Sequence, residues 1–92
     1  MIVRISGEGQ FDLPGGHVDE LNRLDDDLTK AVDAGDEAQF TSALEALLAS
    51  VRTAGQELPA DWIGPSDLVL PSPDATIHEV REVLGDEGLI PG

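Results

Sequence analysis

Three consecutive aspartates, Asp25, Asp26 and Asp27, are the residues whose type first suggests a metal site. Carboxylate oxygens suit Ca²⁺ and Mg²⁺, but they must converge on the ion. The surrounding pattern predicts a helix, on which consecutive side chains point about 100° apart. A Ca²⁺ loop also alternates its ligands and contains glycine, whereas Leu28 and Thr29 follow here. We therefore predict no metal, and we expect these carboxylates to form a solvated acidic helix face.

A second stretch, Gly7-Glu8-Gly9, follows an apolar segment and has the beginning of a phosphate-binding loop. A dinucleotide fingerprint needs a third glycine where this chain has Asp12, and a P-loop needs a Gly-Lys-Ser/Thr ending. Glu8 would also place a negative charge against the phosphates. The stretch is therefore predicted to be the turn of a β-hairpin, and no nucleotide cofactor is expected.

The histidines and serines of the chain do not match a zinc-binding or a nucleophile motif either. The stretch His78-Glu79-Val80-Arg81-Glu82 resembles the zinc-binding pattern His-Glu-x-x-His, but its second histidine is missing. The chain has two histidines and no cysteine, which makes a zinc site improbable. No serine lies in a Gly-x-Ser-x-Gly elbow. We therefore predict no catalytic residue, no cofactor and no metal, and a protein that is not an enzyme.

The spacing of the apolar residues predicts the strands and helices that hold these residues in place. The pattern predicts the order β-β-α-α-β-α in a single domain over residues 1–92, a small α+β fold with the helices on one face of a short sheet. The predicted strands are Ile2 to Ser6, Gln10 to Leu13 and Ser66 to Leu70; the predicted helices run from Val18 to Val32, from Asp36 to Val51 and onward from Thr76.

Capping residues mark where these helices begin and end. Gly35 suits the left-handed end of the first helix, and Asp36 with Gln39 makes a variant of the capping box. The first two helices are therefore predicted to form an antiparallel αα-hairpin. Gly55 should end the second helix.

Pro73 with Asp74 or Thr76 marks the start of the last helix, and Thr76-x-x-Glu79 matches a capping box. Its inward residues and its end are predicted to be Ile77, Val80, Val83 and Leu84, then Gly85. The apolar tail around Leu89-Ile90 is expected to pack against the domain, and self-association through it stays open.

Charge is the strongest compositional signal. The chain has 19 acidic and 5 basic residues among 92, a formal net charge of −14. Direct binding of nucleic acid or of an anionic membrane needs a basic patch, which five scattered cations do not form. A basic protein partner is the natural complement. The predicted contact residues are Asp19, Glu20, Asp25, Asp26, Asp27, Asp33 and Trp62.

Trp62 lies in a predicted loop from Glu57 to Gly64, and its role has two readings. Tryptophan is enriched at binding hot spots, so Trp62 could anchor a partner. It could equally cover the edge of the core.

Three stretches in order resemble the PspA-associated protein family, PspAA. They are MIVRISGEGQF, DELNRLDDDLTKAVDAGDEAQF and PSDLVLPSPDATIHEVREVLGDEGLIPG, and together they extend from Met1 to Gly92. The resemblance is weaker over Pro14 to His17 and over Ala60 to Gly64, so it assigns no role to Trp62. It implies an adaptor or modulator of PspA, a coiled-coil, membrane-remodelling protein of the phage-shock envelope-stress response, and it supplies no catalytic residues.

The sequence also predicts where the protein is located. We found no signal-peptide pattern and no apolar run of the roughly 18 residues that a membrane span needs, so we expect a cytoplasmic protein that its partner can recruit to the inner membrane face. Another basic helical protein could replace PspA as the partner. The alternative is an acidic nucleic-acid mimic that inhibits a basic DNA-binding protein.

Overall fold

The structure is a computed structural model that describes residues 1–83, with the side chains described through Glu82. Its elements are β1 (Ile2–Ile5), β2 (Gly9–Asp12), a 3₁₀ turn (Gly15–His17), α1 (Val18–Ala34), α2 (Glu37–Ala54), β3 (Gln56–Glu57), β4 (Leu68–Leu70) and α3 (Ile77–Val83). The predictions for the side chains of Val83 and Leu84, for Gly85 and for the tail around Leu89-Ile90 fall outside the described residues.

The four strands form one mixed sheet in the order β3-β2-β1-β4. β1 is antiparallel to β2 and parallel to β4, and Val3 pairs with Phe11 on one side and Leu68 on the other. These three side chains are buried, whereas Arg4 and Val69, at alternate positions, are exposed. The sheet therefore has one face on the core, as the period-two pattern predicted.

The β1–β2 connection is the predicted hairpin turn. Gly7 and Gly9 have φ values of 83° and 127°, which glycine adopts without a steric penalty, and the Glu8 N–H donates to the Ile5 carbonyl at 2.9 Å. The Glu8 carboxylate is bound by the Arg52 guanidinium of α2. This hydrogen bond to Arg52 lowers the pKa of Glu8. The glycines thus serve a turn that is tied to α2, and they do not form a phosphate loop.

α1 and α2 form the predicted antiparallel hairpin. Gly35 is left-handed with φ 69°, and its N–H bonds back to the last turn of α1. The Asp36 carboxylate accepts from the Gln39 N–H at 3.1 Å, as the capping pattern predicted. The helices bury an apolar stripe against the sheet, chiefly Leu21, Leu28, Val32, Phe40, Leu44, Leu47, Leu48 and Val51.

α3 begins at the predicted cap and packs on α1. The Thr76 hydroxyl accepts from the Glu79 N–H at 3.2 Å, and Val80 is fully buried. The Arg81 guanidinium donates to the Val32 carbonyl at 2.7 Å, so a basic side chain satisfies a carbonyl near the end of α1.

Three local features differ from the sequence prediction. The third predicted strand is shorter than expected, because β4 begins at Leu68 and not at Ser66. The two-residue strand β3 was not predicted; two residues are too few to show any alternation. The 3₁₀ turn at Gly15–His17 was likewise missed.

Residues 58–67, the crossover segment, join the two edges of the sheet. Gln10 alternates with core-facing Phe11, and its amide nitrogen donates to the Ser66 hydroxyl at 2.8 Å and to the Gly64 carbonyl at 3.4 Å. The Leu58 N–H bonds the Gln10 carbonyl at 2.9 Å. The segment therefore crosses the sheet face opposite the helices, which leaves the outer side of the αα-hairpin uncovered by it.

Candidate partner-binding surface

Five carboxylates project from α1 into solvent. Asp19, Asp26 and Asp33 are spaced seven residues apart, which places them in one row along the helix. Glu20 and Asp27 form a second row about 100° round the helix, on the other side of Arg23 and Lys30. We call these five residues the acidic face. The predicted contact residues are thus brought together by one regular element, with the exception of Asp25 and Trp62.

Asp25 is not part of the acidic face, and the expectation that it is solvated is wrong. Its relative exposure is 3%. Asp25 follows Leu21 by four residues and precedes Leu28 by three, so the helical period places it on the buried side. The spacing of the apolar residues in the sequence therefore indicates burial of Asp25, although its charge indicates exposure. A side chain so buried does not offer its carboxylate to a partner.

Two cations, Arg23 and Lys30, lie on the same side of α1 as the acidic face and are exposed. Each follows an aspartate of the first row by four residues, a spacing at which side chains on a helix are neighbours. Two positive charges against five negative ones leave the surface anionic. The acidic face therefore attracts a cationic partner most strongly at low ionic strength.

Beside the acidic face, a groove runs between α1 and α2. Its walls include Glu20 and Leu24 from α1 and Ala46, Ala49 and Thr53 from α2, and its volume is about 390 Å³. Leu24 is half-buried, whereas both alanines are exposed. The groove is therefore shallow, with small or apolar side chains along it and a carboxylate at its rim.

One end of the groove contains a cluster of Ser50, His17 and Glu20 that sequence reasoning missed. The His17 Nε2 lies 2.7 Å from the Ser50 Oγ, and its Nδ1 lies 3.4 Å from the Glu20 Oε2. His17 and Ser50 are 33 residues apart in the sequence, and no motif connects them.

Serine, histidine and glutamate in this order are also the arrangement that activates a serine nucleophile. Ser50 lies inside α2, however, where the N–H groups of Ser50 and Val51 bond within the helix and are not free to stabilise an oxyanion. A nucleophile elbow exposes such a donor, and a regular helix does not. We therefore assign the His17–Ser50 hydrogen bond a structural role: it links the start of α1 to the last turns of α2. We call this hydrogen bond the tie.

Trp62 lies on the crossover segment, on the opposite side of the sheet from the acidic face. The side chain is half-buried, and the backbone N–H of Trp62 donates to the Pro59 carbonyl at 3.0 Å. The indole ring lies directly over Gly64: a Cβ added there would be 2.1 Å from the ring Cη2. The next residue, Ile63, is 99% exposed. Trp62 therefore packs on its own segment, and its role in binding stays a prediction.

Gly64→Ala should displace the Trp62 ring, because the new methyl group occupies the position of the indole. Since Trp62 is the only tryptophan, its emission maximum reports this change directly. We expect a red shift towards solvent-exposed tryptophan. Gly16→Ala, where the added Cβ meets nothing within 4 Å, is the matched control and should leave the spectrum unchanged. Identical spectra for both variants would show that the ring does not cover Gly64.

Within residues 1–83, no three histidine, cysteine, aspartate or glutamate side chains are placed to hold a metal ion. His78 and Glu82 lie 3.3 Å apart on the exposed side of α3. None of the helices in this range is both long and apolar enough to cross a bilayer.

The model of the PspAA family, described as PspA-associated protein, matches residues 1–92 and so covers the whole chain. A search of curated proteins found no significant match, and neither did a search of solved structures.

Proposed function

This chain belongs to the PspA-associated protein family, and from that premise we propose that it is a non-catalytic adaptor that binds PspA and modulates it in the envelope-stress response. The partner is a coiled-coil, membrane-remodelling protein, whose surface consists of helices. The family name suggests the association, and the acidic face of α1 supplies a surface for it.

The acidic face is the single observation that supports this proposal most. Its carboxylates are exposed on one side of a 17-residue helix, and the hairpin partner α2 holds that helix firmly against the sheet. A rigid, anionic helix suits a basic helical segment, because complementary charge speeds encounter and fixes the relative orientation of the two surfaces. The proposed adaptor therefore needs no chemistry of its own.

The proposal also accounts for location. A net charge of −14 repels an anionic membrane surface. Binding to PspA would carry the chain to the inner face of the membrane without inserting it. The protein is thus proposed to be cytoplasmic and to be recruited through its partner.

Affinity isolation tests the proposal and separates it from the alternative. A tagged chain is expressed in cells under envelope stress, and the proteins recovered with it are identified. We expect PspA, and we expect purified PspA to bind the purified chain directly. Recovery of a DNA-binding protein in place of PspA, displaced by added DNA, would favour the acidic nucleic-acid mimic.

A further inference from the structure

We infer that the groove between α1 and α2 is the seat for one amphipathic helix of the partner, with its apolar ridge in the groove and its basic side chains over Glu20 and Asp27, the row of the acidic face nearest the groove. This inference rests on the proposed function and names the site at which that function is carried out. The occupant is a helix with Lys or Arg beside a narrow apolar stripe.

The shape of the groove favours a helix. Ala46, Ala49 and Thr53 follow one another at steps of three and four residues, so they form one ridge of short side chains along α2. Short side chains let a neighbouring helix approach closely, and packed helices are typically about 8–10 Å apart. Leu24 provides the apolar contact on the α1 side.

The charge around the groove selects the kind of helix. Glu20 lines the groove, and Asp27 lies on the same row of α1, seven residues further along. A helix seated in the groove therefore has carboxylates along one of its flanks. Lysine or arginine on that flank would gain from the contact, whereas an acidic flank would be repelled.

The hydrogen bond between His17 and Ser50 holds the two walls of the groove together at one end. It joins the first residue before α1 to the last turns of α2 at the end of the groove, where Glu20 also lies. The two walls of the groove are thus held at a fixed separation there, and a partner helix meets a preformed surface with less ordering to complete on binding.

Ala49→Leu tests the seat, with Ala38→Leu as the matched control. Both alanines are exposed on α2, and both variants add the same side chain, but only Ala49 lines the groove. Binding of each folded variant to purified PspA is measured by isothermal titration calorimetry, with circular dichroism as the folding check. We expect Ala49→Leu to weaken binding at least about tenfold by blocking close helix approach. Ala38→Leu should stay within about twofold of the unmodified chain.

The outcomes separate the seat from the function. If the unmodified chain does not bind PspA, the proposed function fails. If it binds and Ala49→Leu binds equally well, the function stands and the groove is not the seat. The molar mass of each free protein is measured by light scattering. A dimer of the unmodified chain that Ala49→Leu converts to monomers would assign the groove to a second copy of this chain, which also contradicts the inference.

Discussion

Gly55→Ala is expected to lower the free energy of unfolding by about 1–3 kcal/mol, the usual cost of overpacking a filled site. A Cβ at position 55 would lie 2.8 Å from the Val51 carbonyl oxygen, 3.0 Å from the Phe11 Cβ and 3.2 Å from a Leu13 methyl carbon. Two of these atoms belong to, or are attached directly to, the backbone, so they cannot move away cheaply. The junction between α2 and the sheet must therefore shift.

A competing effect has the opposite sign but is smaller. Replacing glycine by alanine restricts the unfolded chain and stabilises a protein by about 0.4–1 kcal/mol where the native conformation allows it. Gly55 has φ −87°, which alanine adopts freely, so the clash alone decides the outcome. Gly16→Ala has the same benefit with no neighbour within 4 Å and should be neutral or slightly stabilising. Urea unfolding of both variants measures the difference; equal midpoints would show that Gly55 is not closely packed.

Asp26→Lys/Asp33→Lys is expected to weaken the association with PspA about tenfold at low ionic strength. Each reversal removes an attraction and adds a repulsion, and an exposed ion pair contributes about 0.2–1 kcal/mol. Asp26 and Asp33 lie in the first row of the acidic face. The two reversals together are therefore expected to lower the affinity for PspA about tenfold. This loss of affinity should diminish as added salt screens the charges.

Glu57→Lys/Asp61→Lys is the matched control for charge. It changes the net charge by the same amount, from −14 to −10, but on β3 and the crossover segment. Calorimetric titration should show near-native affinity for this control. If both double variants weaken binding equally, total charge matters and the acidic face has no special role.

The helical part of the fold could be predicted because its determinants are local. Gly35, Asp36 and Thr76 each set a helix end through bonds to residues within five positions, and all three were identified from the sequence. The alternating apolar residues of β1 and β2 likewise carry their own signal. Local sequence patterns are therefore sufficient to predict those elements whose hydrogen bonds join residues close together in the sequence.

The parts that could not be predicted depend on distant contacts. The His17–Ser50 tie joins residues 33 positions apart, and the crossover segment is set by Gln10, which lies more than 50 positions earlier in the chain. Neither pairing leaves a pattern in the sequence. Asp25 is different, because its burial follows from its spacing to Leu21 and Leu28. Its residue type, by contrast, indicates exposure.

The salt dependence of direct binding between the unmodified chain and purified PspA tests the central claim most directly. Calorimetric titrations at low and at high ionic strength would measure it. The acidic-face account predicts saturable binding at low ionic strength that weakens progressively as salt is added. Absence of binding at low salt, or an affinity that salt does not change, would contradict it.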